Sequence, residues 1–74
     1  MNQNKQYWIF TFGSGQKHEG YYVKINGTYG EAREKMFDRY GEEWSFQYSE
    51  EQWDNWLKTK PEWIPEESLL EIIN

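Results

Sequence analysis

Cysteine is missing from the 74 residues, proline occurs twice, histidine once, and the apolar runs are short. Without cysteine there are no disulfide staples, no thiol chemistry and no cysteine-based zinc site. With His18 as the lone histidine, a multi-histidine metal site is excluded, and any metal would have to be held by carboxylates alone. No run approaches the roughly 20 apolar residues that cross a bilayer, so we expect a protein that does not span a membrane and works in the cytoplasm. A chain of this length buries only about 60% of the surface it exposes when unfolded. That leaves no room for a large cofactor beside a full core, and it excludes a multidomain enzyme. We expect one small domain covering residues 1–74, with a polar lead-in over 1–6, a C-terminal extension over 61–74, and no cofactor or metal.

What the chain has in abundance is aromatic rings. Five Trp, six Tyr and four Phe make up 20% of it, more than all its other apolar side chains together, so ring packing is the obvious source of stability. Charge is unevenly distributed. Residues 1–41 carry six bases and four acids, whereas residues 42–74 carry two lysines and nine acids, and the total is −5. Such a chain lacks the basic footprint of a duplex-binding module, which disfavours nucleic acid as a partner.

Tyr7–Phe12 is dense in aromatic and β-branched residues and reads as a strand packed on both faces, ending at Gly13. The stretch Gly13–Gly20 has three glycines and no apolar residue, as an exposed turn would. Tyr21–Ile25 alternates, placing Tyr21, Val23 and Ile25 on one face and Tyr22 and Lys24 on the other, and completes a hairpin. Thr28 and Glu31 then fit a capping box, and Tyr29, Ala32, Met36, Phe37 and Tyr40 share one side of a helix over residues 29–40 that stops at Gly41. Trp44-Ser45-Phe46-Gln47-Tyr48 alternates ring and polar group, predicting a third strand with its three rings buried. Ser49 and Gln52 form a second capping box before a short helix over about residues 50–58, with Trp53, Trp56 and Leu57 facing inward. Residues 66–73 read either as helix or as a last strand, with Pro65 as a first helical residue favouring helix. The expected fold is therefore α+β: a ββαβα domain with a three-stranded, mainly antiparallel sheet packed by two helices. A parallel return of the third strand beside the second is equally consistent with the pattern.

Candidate sites are few. In the Gly-rich loop, Ser14, Gln16, Lys17 and His18 offer the most obvious ligand-binding residues. The spacing of a phosphate-binding loop is absent, however, and no helix N-terminus follows, so a plain hairpin turn with an exposed histidine is the preferred reading. The carboxylate pairs Glu42/Glu43, Glu50/Glu51 and Glu66/Glu67 lack calcium-loop spacing and suit solvated helix starts better than acid–base catalysis. Serines have no base to activate them, so no catalytic residue is expected and the chain is not expected to be an enzyme. A domain this small cannot bury 15 rings, and Trp8, Tyr22 and Trp63 are the expected surplus. A surface ring beside carboxylates is a common anchor in protein recognition. We therefore expect Glu42, Glu43, Glu50, Glu51, Asp54 and Trp63 to form a partner-binding surface gathered along one side.

The segments Tyr7-Trp8-Ile9-Phe10-Thr11-Phe12-Gly13-Ser14-Gly15-Gln16, Tyr22-Val23-Lys24-Ile25, Gly27-Thr28-Tyr29, Lys35-Met36-Phe37 and Trp44-Ser45-Phe46-Gln47-Tyr48 resemble those of a group of small, mostly uncharacterised proteins encoded by phages and integrated elements of Gram-positive bacteria. The resemblance covers nearly the whole chain. It implies binding to a host protein, including anti-defence inhibition of restriction or CRISPR components. A carboxylate-studded surface can imitate a phosphate array and occupy a nuclease's basic cleft. The alternatives are a small nucleic-acid or nucleotide-binding module using the Gly-rich loop with Arg33 and Arg39, and a domain with no discernible ligand. An exposed ring on the sheet would also suit a homodimer.

Overall fold

The computed structural model describes residues 5–62 and 65–74. Its elements are β1 (Gln6–Thr11), β2 (Tyr22–Gly27), α1 (Tyr29–Tyr40), β3 (Phe46–Tyr48), α2 (Glu50–Leu57), a 3-10 turn (Pro65–Ser68) and β4 (Leu69–Ile73). The class is α+β, but the sheet is mixed and has four strands in the order β3-β1-β2-β4. Strand β1 pairs antiparallel with both β2 and β3, and β2 pairs parallel with β4. The expected three-stranded ββαβα arrangement is thus corrected by one strand. Pro65 is the first residue of one 3-10 turn, as a helix start would have it, but the turn ends at Ser68 and residues 69–73 are a strand of the sheet, so both readings of this segment hold in part.

The connections explain why both faces of the sheet are covered. Strands β2, β3 and β4 all run the same way, since β2 and β3 both oppose β1 while β4 parallels β2. The chain crosses from β2 over to β3 through α1, then back across the whole sheet to β4 through α2. Two crossovers of the same hand that travel in opposite directions must use opposite faces. Accordingly, α1 packs on Phe10, Phe12, Val23 and Ile25 through Ala32 and Met36, and α2 packs on Ile9 and Tyr22 through Trp53.

This arrangement overturns one expectation about rings. Tyr22 was expected to be surplus, yet only 3% of it is accessible, because α2 covers the face that alternation had assigned to solvent. Its partner Trp53 lies at a ring separation of 4.9 Å. Trp8 is also drawn in: its indole nitrogen donates to the Gly27 carbonyl at 2.9 Å, and its ring meets Tyr29 edge-on. Trp63 lies outside the described residues. Tyr21, in contrast, is exposed and precedes β2.

Both helices begin as local chemistry dictates. Thr28 Oγ1 accepts from the Glu31 amide at 3.2 Å while the Glu31 carboxylate accepts from the Thr28 amide at 3.0 Å, and Ser49 and Gln52 repeat the exchange at 3.1 and 2.9 Å. Each box satisfies amides that a first helical turn leaves unpaired. At its other end α1 stops at Gly41, whose φ of 64° suits a residue without a side chain.

Candidate partner-binding surface

Strand β3 is one edge of the sheet, and the sequence on either side of it carries the acidic residues singled out above. Glu42 and Glu43 follow the C-terminal cap of α1 and precede the strand, whereas Glu50 and Glu51 begin α2 immediately after it. All four carboxylates are exposed, as is Asp54. Four of the five bracket β3 in two pairs, one at each end, and Asp54 stands on the outer surface of α2. Among the described residues none of the five takes part in an ion pair; the ion pairs seen join Lys5 to Glu31 and Arg39 to Glu71.

Between the two pairs the strand is unusual in what it shows to solvent. Phe46 is 62% accessible, more than any other large apolar residue described, which corrects the expectation that all three rings of the segment are buried. Phe46 shares the face of Tyr48 but lies outside the cluster that α2 covers, and the alternation itself breaks at Ser45, whose amide donates to the Thr11 carbonyl at 2.8 Å, where regular pairing opposite Phe12 would use another acceptor. This irregularity sends Trp44 to the α1 side, against Phe10 and Phe37, while Phe46 and Tyr48 sit on the α2 side.

Gln47 faces the α1 side and is held tightly. Its amide nitrogen donates to the Tyr29 carbonyl at 3.1 Å, and its oxygen accepts from Arg33 at 3.1 Å. The Arg33 guanidinium stands 4.9 Å from the Trp44 ring centre and within 6 Å of Tyr29 and Phe37. Arg33 is therefore engaged by the chain's own rings, and Arg39 by Glu71 at 3.3 Å.

On the α2 side, at the Thr11 end of the sheet, a cleft of about 340 Å³ opens between Thr11, Tyr21, Tyr22, Tyr48, Trp53 and Trp56. Trp53 and Trp56 stack with their planes 15° apart, and Lys60 places its ammonium 5.9 Å from the Trp56 ring centre. Tyr21 and Trp56 are exposed at its rim. Sequence reasoning overlooked this cleft, because its walls come from four elements whose periodicity is read one at a time.

The Gly-rich loop is closed on itself. Gln16 accepts from the Gly13 amide and, at 3.0 Å, from the Ser45 hydroxyl, which fastens the loop to the chain entering β3. A Cβ at Gly13 would come within 2.5 Å of Ser45 Oγ, so a side chain here would have to turn that hydroxyl away from Gln16. Glu19 takes the Gly15 amide at 3.1 Å and the Ser14 hydroxyl at 3.4 Å. A carboxylate of the chain thus occupies donors that an anion would need. Lys17 remains exposed, but His18 is half-buried, its ring edge-on to Phe12 and Tyr40, which corrects the exposed-histidine expectation. Behind it the Tyr40 hydroxyl donates to Glu71, and burial with this carboxylate holds the Tyr40 pKa far above its ordinary value.

Among the described residues no group of His, Asp and Glu is placed to hold a metal ion, and no helix is long and apolar enough to cross a membrane. Comparison of the chain with protein-family patterns, curated proteins and solved structures finds no significant match.

Proposed function

We propose that the chain is a binding protein that docks another protein on the surface around β3, and that the partner is a host protein which it modulates or inhibits in the host cytoplasm. The supporting observation is the edge strand itself. An exposed phenylalanine stands between two pairs of carboxylates that no cation of the described chain neutralises. Apolar centre and charged rim are the usual anatomy of a protein interface. Opposite fields draw a basic partner in quickly, and a ring excluded from water then supplies affinity. A defence nuclease, whose cleft is basic, has the complementary charge. The reading assigns no catalytic residue, and the self-satisfied loop gives the nucleotide alternative no support.

Capture of host protein by immobilised chain tests it. The charge reversals Glu42→Lys with Glu43→Lys, Glu50→Lys with Glu51→Lys, and the substitution Phe46→Ser are made as three separate variants. Each should keep its circular dichroism and lose most of the capture, whereas capture unchanged in all three refutes the reading.

A further inference from the structure

We infer that the partner's docking element is an extended segment, apolar in the middle and basic at both ends, which pairs by backbone hydrogen bonds with the free edge of β3. The inference rests on the protein-binding reading above and specifies its geometry.

Among the described residues, strand β3 has β1 on one side and no neighbouring strand on the other. Along such an edge alternate residues direct N–H and C=O groups outward, ready to template another strand. Natural sheets guard edges with lysine, proline, an inward charge, a bulge or a very short strand; Phe46-Gln47-Tyr48 carries none of the first three, and its three residues offer a short edge with an irregularity at one end. The edge is also braced: Gln47 is fixed from the α1 side by Arg33 and the Tyr29 carbonyl, so the strand is ordered before anything binds. Ordering in advance reduces the entropy lost on docking.

Charge then selects the occupant. Glu43 and Glu50 are seven residues apart, at most about 23 Å at strand rise. A partner strand on this edge would place its own ends beside the two carboxylate pairs, and Lys or Arg about six to eight residues apart would meet them. Side chains of its central residues would alternate between Phe46 on one face and the Trp44–Arg33 side on the other. Backbone pairing would supply affinity, and alternate side chains specificity, as in other strand-addition complexes.

The probe is an acetylated peptide of about ten residues with alternating Thr and Val at its centre and two arginines at each end, titrated into the intact protein at low salt. Slowed amide exchange and shifted amide resonances at Phe46, Gln47 and Tyr48 are expected. Methylating alternate peptide nitrogens removes the pairing and should weaken binding about tenfold or more. The neutralised variant E42Q/E43Q/E50Q/E51Q should bind about tenfold more weakly, a gap that closes at high salt.

Equal binding of the methylated peptide, no binding of either peptide, or occupation of the edge by a second copy of the chain in light scattering each overturns the inference. If partner capture is still lost on charge reversal, the strand pairing alone is discarded. If capture is untouched, or a single-stranded oligonucleotide shifts the same amides where the peptide does not, the underlying reading falls with it.

Discussion

Arg33 and Trp44 form the clasp that ties helix α1 to the segment leading into β3, the guanidinium standing 4.9 Å from the ring centre. The contact works with the Phe37–Trp44 ring contact and the two hydrogen bonds of Gln47 to hold this segment against α1, which otherwise lies mainly over β2 and β1. Replacing Arg33 by Ala removes the cation–ring contact and the hydrogen bond to Gln47 together, and should cost about 1–2 kcal/mol. Lysine cannot stack on the ring while forking to Gln47, so Arg33→Lys should recover less than half of the loss. Urea unfolding gives the totals, and faster amide exchange at residues 46–48 locates the damage.

Trp53 is the centre of the α2 layer, 5% accessible and in ring contact with Tyr22, Tyr48 and Trp56. Trp53→Ala should cost about 3–5 kcal/mol, a large share of the stability of so small a domain. Differential scanning fluorimetry should show a greatly lowered or lost transition.

The capping hydroxyls are separable tests of local chemistry. Thr28→Ala and Ser49→Ala should each cost about 0.5–2 kcal/mol, whereas Thr28→Ser should be close to neutral. Far-ultraviolet circular dichroism during urea titration reads both.

Two side chains give opposite pH responses. The Thr28 amide, with a smaller contribution from Lys5, lowers the Glu31 pKa below its ordinary 4.5. Its stabilising effect is complete above pH 4.5 and fades as pH falls through the depressed folded value. Glu31→Gln should flatten the acid limb of the stability curve. Tyr40 is raised above 10.0, mainly by burial and then by its bond to Glu71. Its contribution is complete below pH 10 and is lost as pH rises above that towards the raised folded value, so Tyr40→Phe should reduce the destabilisation seen above about pH 10. Stability measured across both ranges separates the two.

What the sequence disclosed and what it concealed follow distance along the chain. Thr28 with Glu31 and Ser49 with Gln52 are three residues apart, and both boxes form as their spacing requires. The hairpin of β1 and β2 and the extent of α1 were similarly legible. β4 stayed undecided because it pairs with β2 some 47 residues earlier, Tyr22 opposite Leu69, and because Pro65 does start a 3-10 turn, which runs only to Ser68. Tyr22 was misassigned because alternation marks two faces without saying that both are covered. The acidic residues were individually exposed as expected, but only the path of the chain through β3 decides that Glu43 and Glu50 stand at its opposite ends.

The sheet separates two apolar layers of unequal size. Among the described residues, six buried ones lie on the α1 side, Phe10, Phe12, Val23, Ile25, Ala32 and Met36, against three on the α2 side, Ile9, Tyr22 and Trp53. The thinner layer has less to lose on opening, so amides of α2 are expected to exchange faster than those of α1, and a ligand gripping Phe46 and its surroundings should narrow that difference.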